Sequence, residues 1–214
     1  MTPFILVLSS PSGGGKTTIA KALLAARDNL GFSISATTRS PRPGERDGVD
    51  YDFLSVEEFE RKRARGEFLE WAEYSGNLYG TVEAEVDRVL GDGRHVVLDI
   101  EVQGARQVRK RRRDVVSIFI LPPSAEALVE RLKGRDGPAD QARLRARLAR
   151  AIDELDEAPV YDYIVINDDR MEAVAEVAAI IDSESRRSVR IATLHDDLDG
   201  LRRELNEIVS GMKQ

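Results

Sequence analysis

The stretch FILVLSSPSGGGKTT, residues 4–18, decides the fold of this chain. A short apolar run, typical of a buried strand, leads into a glycine-rich turn, and Lys16 then begins a helical pattern. Glycines have no Cβ, so successive backbone N–H groups can converge on phosphate oxygens, and the first N–H groups of the following helix favour the same anion. The pattern therefore predicts a phosphate-binding loop and, with it, a nucleotide.

Single residues of this loop have separate expected roles. Lys16 is placed to reach the β- and γ-phosphates of the nucleotide, and the Thr17 hydroxyl is placed to ligate Mg²⁺. Ser10 stands where the G-x-x-x-x-G-K-[ST] pattern has its first glycine, so an ordinary Gly/Ser turn is the alternative interpretation. The loop residues predicted to bind the nucleotide are Ser12, Gly13, Gly14, Gly15, Lys16, Thr17 and Thr18.

The composition limits the class of protein. With 214 residues, the chain can form one sizeable α/β core with small inserted subdomains. The net charge of −6 argues against a general nucleic-acid binder. The absence of cysteine excludes disulfides and thiolate metal sites and is compatible with the cytoplasm, which we expect as the location. No apolar run approaches the length of a membrane span, and the short run at the N-terminus is typical of a strand rather than a signal peptide.

Further along the chain, short apolar strands alternate with helices. Buried strands are predicted at residues 4–8, 95–100, 115–121 and 163–166. This alternation is typical of an α/β protein with a mostly parallel sheet covered on both faces. A capping box at residues 55–58 predicts the start of a helix.

The rest of the chain carries three weaker patterns. A helix predicted from Ser124 to Lys133 should break at residues 134–138 and be followed by a helix over 139–157. The basic run 109–113 resembles a nucleic-acid patch, but its place at a helix end favours a solvated terminus. Near the C-terminus, an amphipathic stripe is expected to pack on the core, with a partner helix as the alternative; its residues are Ile191, Leu194, Leu198, Leu201, Leu205 and Ile208.

The segments SISATTRSPRPGE, residues 33–45, and DGVDYDF, residues 47–53, closely resemble the signature of guanylate kinases. Further motifs at 77–81, 98–104 and 165–169 continue this resemblance, which covers about residues 4–183 in the family's order. The resemblance implies ATP- and Mg²⁺-dependent phosphorylation of GMP, and of dGMP, to the diphosphate in purine nucleotide metabolism. It also implies a P-loop NTPase-type, three-layer α/β/α core with a parallel sheet.

The same resemblance divides the chain into three parts. The nucleotide-binding core comprises residues 1–32, 83–123 and 158–214. A small mixed α/β GMP-binding subdomain is inserted at 33–82, and a helical lid at 124–157.

The basic loop after residue 38 fits a nucleoside monophosphate. Arg39 and Arg42 lie in one proline-stiffened segment, and guanidinium groups make bidentate contacts with phosphate. By resemblance, these arginines hold the GMP phosphate together with the hydroxyls of Tyr51 and Tyr79. Solvated loop arginines are the alternative.

Guanine carries two neighbouring donors, N1–H and the exocyclic amine, which one carboxylate can accept at once. The resemblance places Glu70 there, with Ser35 and Thr81 as hydroxyl partners. Glu101 stands where the family more often has an aspartate that contributes to guanine recognition, so its charge is moved by a methylene. Adenine lacks the N1–H, so an unpaired buried Glu70 would disfavour AMP.

Two further groups complete the expected site. Asp99 ends a buried strand, where P-loop proteins usually place the acid that positions Mg²⁺, often through water. Arg131, Arg135 and Arg147 match lid arginines that reach the transferring phosphoryl group, and Asn167 belongs to the ATP site by resemblance. Because the attacking phosphate oxygen is already anionic, we expect direct in-line transfer, without a general base or a covalent intermediate.

Two other functions remain open at this point. One is a non-catalytic scaffold of the same fold that grips phosphorylated peptides; such domains usually lose the loop lysine and glycines, which are intact here. The other is a kinase for a different monophosphate or a phosphorylated sugar, which the set around Glu70 opposes. The sequence does not determine whether the chain forms a homo-oligomer.

Overall fold

The structure, a computed structural model, describes residues 1–74, 76–136 and 141–212, and for residues 134–136 and 143 it describes the backbone alone. The strands in this part of the chain are β1 (Ile5–Ser9), β2 (Leu30–Phe32), β3 (Ser35–Thr37), β4 (Asp52–Phe53), β5 (Phe68–Tyr74), β6 (Asn77–Val82), β7 (His95–Asp99), β8 (Val115–Leu121) and β9 (Tyr163–Ile166). The helices are α1 (Lys16–Ala26), α2 (Val56–Ala64), α3 (Glu83–Gly91), α4 (Val102–Arg111), α5 (Ala125–Asp136), α6 (Gln141–Leu155), α7 (Arg170–Ser185) and α8 (Leu194–Gly211).

The central sheet is parallel and has the order β2-β7-β1-β8-β9. Successive side chains of β1 point to opposite faces, so Leu6 and Leu8 pack with α1 and α7, whereas Ile5 and Val7 pack with α3 and α4. Both faces of the sheet are therefore covered by helices. This confirms the predicted three-layer α/β/α fold and places the loop after β1 at the carboxyl edge of the sheet.

A second, smaller sheet has the order β4-β3-β6-β5 and is mixed, because β3 runs parallel to β4 and antiparallel to β6. Ala36, Phe59 and Phe68 form its small core. The predicted capping box is present, since the Ser55 and Glu58 side chains each bond the other's backbone N–H. This sheet is joined to α4 of the larger core by Gln107, which bonds the backbone of Trp71 in both directions.

The helices α5 and α6 share a core of their own, formed by Leu128, Leu132 and Ala151. The break predicted over residues 134–138 does not begin at its first residue, because α5 continues to Asp136, and residues 137–138 lie outside the described part of the chain. A single glycine costs a helix only about 1 kcal/mol, so Gly134 does not end this helix.

The basic run at the end of α4 is a helix terminus, as predicted. Arg111 pairs with Glu83 and donates to the carbonyls of the β5 backbone, and Arg112 pairs with Asp87 and Asp114. These arginines are therefore engaged by acids of their own fold.

The expectation for the C-terminal stripe is wrong. Among the described residues of α8, none is buried, and the stripe that was expected to pack on the core faces outward. An amphipathic pattern specifies an apolar face but not the surface that covers it. In the described part of the chain, no helix has both the length and the hydropathy to cross a membrane.

Candidate active site

The glycine-rich loop between β1 and α1 is held in a conformation that only glycine adopts easily. Gly13 and Gly15 have φ angles of 90° and 100°, in the left-handed region. The Asn167 side chain donates to the Gly14 carbonyl at 2.8 Å, and a Cβ on Gly15 would come closer than 3.0 Å to the same amide. Asn167, predicted from resemblance for the ATP site, thus braces the loop from the end of β9.

Ser10 fits the loop in place of the usual glycine. Its side chain is buried, and its hydroxyl donates to the Pro11 carbonyl at 2.9 Å. The turn is closed by a bond from the Gly14 N–H to the same carbonyl at 2.8 Å. Ser10 therefore supports the turn, and its side chain packs against Gly14, where a Cβ would meet it.

Lys16 is surrounded by acids. Its Nζ lies 2.8 Å from Glu101 Oε1 and 3.9 Å from Asp99 Oδ1. Burial alone would lower the pKa of Lys16, but the charges of Glu101 and Asp99 outweigh burial and raise the pKa. Burial by itself would likewise raise the pKa of Glu101, yet the ion pair with Lys16 lowers it. The Lys16 side chain is therefore positively charged and held by these acids at the start of α1, directly after the loop.

Asp99 carries a buried oxygen that suits a cation. Its Oδ1 is buried and finds no hydrogen-bond donor among the described residues. A buried carboxylate oxygen without a donor is costly, so it calls for a positive ligand beyond the distant Lys16 ammonium. Thr17 is exposed in the first turn of α1, on the neighbouring strand–helix unit. Because Mg²⁺ takes one or two protein oxygens and completes its shell with waters and phosphates, these two residues fit the ion.

The four residues predicted for the GMP phosphate belong to one loop and one strand of the small sheet. Arg39 makes a bidentate ion pair with Glu45, at 2.9 and 3.0 Å, and its Cζ lies 5.3 Å from the centre of the Tyr51 ring. The Tyr51 and Tyr79 rings are 6.1 Å apart and meet edge to face. The backbone N–H of Arg42 donates to the same Glu45 carboxylate, and the Arg42 side chain is exposed. Glu45 thus holds the loop so that Arg39, Tyr51 and Tyr79 are together.

Glu70 lies on β5, where the small sheet packs against α4. Its carboxyl is buried, and its Oε1 accepts from the Thr81 hydroxyl at 2.6 Å. Ser35 faces Thr81 across the antiparallel β3–β6 pair, so the three predicted base-reading residues are neighbours. Burial raises the pKa of Glu70 to about 7, and the nearby charge of Glu101 adds to the shift against the opposing Thr81 hydrogen bond.

Gly104, which sequence reasoning did not single out as a site residue, determines how closely α4 packs against Glu70. A Cβ at this position in α4 would lie closer than 3.0 Å to the Glu70 carboxylate. Only glycine lets the helix backbone approach the carboxylate so closely. The signal for Gly104 was its place in the 98–104 motif, but its contact with Glu70 depends on the tertiary fold.

The lid arginines are brought to the loop in part. Arg131 on α5 donates through Nη2 to the Asn167 carbonyl at 2.7 Å and through Nη1 to the Gly14 carbonyl at 3.4 Å. A cleft lined by Arg131, Asn167 and the loop glycines lies beside it. Arg147 lies on α6 and is half-buried. Arg135 belongs to α5, but its side chain lies outside the described part of the chain.

Glu154 was not predicted and lies at the loop. Its Oε2 accepts from the backbone N–H of Ser12 at 2.8 Å, so α6 touches the phosphate-binding loop directly. Burial and the neighbouring Glu101 charge raise the pKa of Glu154 to about 7. Glu154 follows Leu148 and Ala151, which both pack inward, at helical spacing, so it lies on the buried face of α6. This helical spacing is the sequence feature that could have identified Glu154.

The comparisons with known proteins agree with this geometry. The family model described as guanylate kinase matches residues 2–184. The guanylate kinase of Symbiobacterium thermophilum is 50% identical over 186 residues, which are 87% of this chain and 88% of that protein. The guanylate kinase of Paramagnetospirillum magneticum is 48% identical over 92% of each chain. The crystal structure of guanylate kinase from Anaplasma phagocytophilum has a TM-score of 0.75 at 36% identity, covering 93% of this chain and 95% of that one.

Proposed function

The chain belongs to the guanylate kinase family and is an enzyme of that family, and on this basis we propose that it transfers the γ-phosphoryl group of ATP to GMP, giving ADP and GDP. The observation that carries the choice of acceptor is the buried Glu70 carboxylate beside Thr81. Its second oxygen, Oε2, lies against Gly104 of α4, where a Cβ would meet it. Two guanine donors, N1–H and the exocyclic amine, match the acceptors that this carboxylate offers.

Adenine is disfavoured at the same place. It has no N1–H, so AMP would leave a buried carboxylate facing an acceptor, which costs several kcal/mol on the scale of about 1–3 kcal/mol for each unsatisfied buried group. Cytosine and uracil are smaller than guanine and would leave part of the guanine site unfilled. Glu70 therefore supports guanine over the other bases.

The phosphate of GMP would lie against Arg39, Arg42, Tyr51 and Tyr79. In the ligand-free arrangement, Glu45 neutralises Arg39. A phosphate dianion carries more charge than a carboxylate and so competes for the same guanidinium. We propose that Glu45 keeps Arg39 oriented until GMP arrives and then gives up part of this contact.

The proposed reaction is a single in-line displacement. An anionic oxygen of the GMP phosphate attacks the γ-phosphorus of ATP, a new P–O bond forms, and the bond to the β–γ bridging oxygen breaks, leaving its electron pair on ADP. The attacking oxygen needs no general base because it is already deprotonated. Lys16 and Arg131, with Arg135 and Arg147 from the lid, would stabilise the charge that spreads over the transferring oxygens.

Lys16 must exchange partners for this step. Its ammonium is held by Glu101 in the ligand-free protein, and the β- and γ-phosphates offer it a stronger anionic site. The residues suited to holding Mg²⁺ are Thr17 and Asp99. When bound, the ion would neutralise negative charge on the phosphates.

The finer parts of the proposal follow from the same site. The residues expected at the GMP site recognise the base and the phosphate, and none of them is expected to bind the ribose 2′-hydroxyl. We therefore include dGMP as an acceptor. Recycling of GMP in purine metabolism and a cytoplasmic location go with this reaction and stay predictions.

The test is a substrate panel. The purified protein is incubated with ATP and Mg²⁺ and with GMP, dGMP, AMP, UMP or CMP in turn, and ADP formation is measured. We expect turnover with GMP and dGMP and little with the others. No ADP with GMP would contradict the proposal, and binding of phosphorylated peptides without any turnover would favour the scaffold instead.

A further inference from the structure

The exposed face of α8 has a regular heptad pattern. A row of apolar residues on α8, continued by Met212 just after it, is separated by four, three, four, three and four positions, with Val209 beside the row; its members are Leu194, Leu198, Leu201, Leu205, Ile208 and Met212. Alternating steps of three and four average 3.5 residues, the repeat of two α-helices that supercoil around each other. We call this set the α8 seam.

The α8 seam is open to solvent. Leu198 is 46% exposed, Leu201 54%, Leu205 52% and Ile208 54%. The helix follows the part of the chain that the family model matches, which ends at residue 184. A row of exposed large apolar side chains of this length is typical of an interaction surface.

The helix needs a partner to be stable. It has 18 residues, contains Gly200 near its middle, and contributes no residue to the buried cores described above. Short helices in water gain most of their stability from packing of their apolar face, and an interior glycine weakens them. The α8 seam is the face that this packing would use.

The charges of α8 select the kind of partner. The helix has five acidic residues and two arginines; these are Asp196, Asp197, Asp199, Glu204, Glu207, Arg202 and Arg203. Helices that lie on anionic membranes carry a polar face rich in Lys and Arg, so this helix is unsuited to that surface. A narrow heptad seam flanked by mixed charges is instead typical of a helix that pairs with another helix.

We propose that the α8 seams of two copies of this chain pack together in parallel. With Leu198 and Leu205 at position a, and Leu201 and Ile208 at position d, Asp197 falls at g and Arg202 at the following e. In a parallel pair, g of one helix meets the following e of the other, so Asp197 of each copy faces Arg202 of its partner. An antiparallel pair would bring Arg202 of one helix against Arg202 of the other.

The parallel orientation makes Asp197 and Arg202 of two copies charge-complementary. Arg202 contacts Asp199 of its own helix at 3.0 Å, in a pair whose side chains are 75% and 60% exposed. Such an exposed pair is weak and leaves Arg202 able to reach across a seam.

The first experiment measures the mass of the full chain in solution by sedimentation. We expect a concentration-dependent dimer of twice the 23.8 kDa chain mass. The double variant Leu201→Asp/Leu205→Asp places charges in the seam and should raise the dimer dissociation constant by about a hundredfold or more. Its matched control, Asn206→Asp/Ser210→Asp, adds the same charge on the outer face and should dimerise as the parent does. Turnover with GMP should be unchanged in both variants.

Four results would overturn self-association through the α8 seam. The parent chain could be a monomer at every concentration, or both double variants could weaken the dimer equally. A monomeric parent whose melting temperature falls with the seam substitutions but not with the control would show that α8 packs on its own chain. Recruitment to anionic vesicles by a monomer would assign the seam to a membrane instead.

The orientation is tested by cross-linking. The chain contains no cysteine, so Met212→Cys introduces a single thiol at the end of the seam, and Ser210→Cys places one on the outer face as a control. In a parallel pair, the two thiols at 212 meet and oxidise to a covalent dimer faster than those at 210. In an antiparallel pair, an 18-residue helix would separate them by about 27 Å. A dimer without cross-linking at 212 would contradict the parallel arrangement.

Discussion

The substitution Glu70→Gln isolates the contact on which guanine selection rests. The amide keeps the side-chain length and an acceptor for the Thr81 hydroxyl, now bonded to Glu70 Oε1 at 2.6 Å. It removes the negative charge and turns one acceptor into a donor that faces a guanine donor. The fold should tolerate this change. Burial disfavours the charged carboxylate and so raises the pKa of Glu70, and the amide that replaces it carries no charge.

The size of the effect follows from one lost hydrogen bond and one that loses its charge. A hydrogen bond to a charged group contributes about 1.5–3 kcal/mol and a neutral one about 0.5–1.5 kcal/mol, so losing one and neutralising the other costs about 2.5–4.5 kcal/mol. Since each 1.36 kcal/mol is tenfold in rate, kcat/KM for GMP should fall by about 10²–10³-fold. At neutral pH the loss moves toward the lower end, because a pKa of about 7 leaves part of the parent enzyme protonated.

The assay is steady-state kinetics with GMP and ATP varied separately. The KM for ATP should change little, because Glu70 lies in the small sheet and not at the phosphate-binding loop. Glu73→Gln is the matched control, since Glu73 is on the same strand, exposed, and three residues away. Retention of kcat/KM for GMP within twofold, or an equal loss toward ATP, would refute the reasoning.

Four further outcomes are expected. Lys16→Met should lower turnover by about 10²-fold or more through loss of a cation at the transferring phosphate, with Lys21→Met, an exposed site on α1, as the unaffected control; unchanged turnover would remove Lys16 from the mechanism. Gly104→Ala should raise the KM for GMP and destabilise the fold by about 1–3 kcal/mol, because its Cβ meets the Glu70 carboxylate, whereas Gly91→Ala meets nothing within 4 Å and should change neither. The KM for GMP should rise as the pH falls through the Glu70 pKa of about 7, because protonation removes the acceptor, and a Glu70→Gln enzyme with the same rise would contradict this cause. Chelation of Mg²⁺ should abolish turnover and added Mg²⁺ should restore it; full activity in excess chelator would contradict the role proposed for the ion.

The sheet was predictable because its strands are continuous apolar runs, although Ile164 and Ile166 of the edge strand β9 are exposed. The apolar runs at Val115–Leu121 and Tyr163–Ile166 have the same bounds in the sequence pattern and in the structure. Their boundaries are sharp since a proline pair follows the first and a polar segment follows the second. Periodicity of this kind depends on local sequence alone, so no tertiary information was needed.

What the pattern missed depends on contacts between distant parts of the chain. The bond from the Ser12 N–H to Glu154 joins residues 142 positions apart, and nothing local in α6 specifies that partner. The role of Gly104 appears only when Glu70 is placed against α4. The C-terminal stripe shows the same limit, because its periodicity predicted an apolar face and not the surface that would cover it.

The most direct test of the proposed reaction follows the phosphoryl group itself. ATP labelled in its γ-phosphorus is mixed with the protein, Mg²⁺ and GMP, and the label is located among the products and on the denatured protein. The account predicts label in the β-phosphate of GDP, none bound to protein, and little as inorganic phosphate. Label that remains on the protein, or appears as inorganic phosphate without GDP, would contradict direct transfer to GMP.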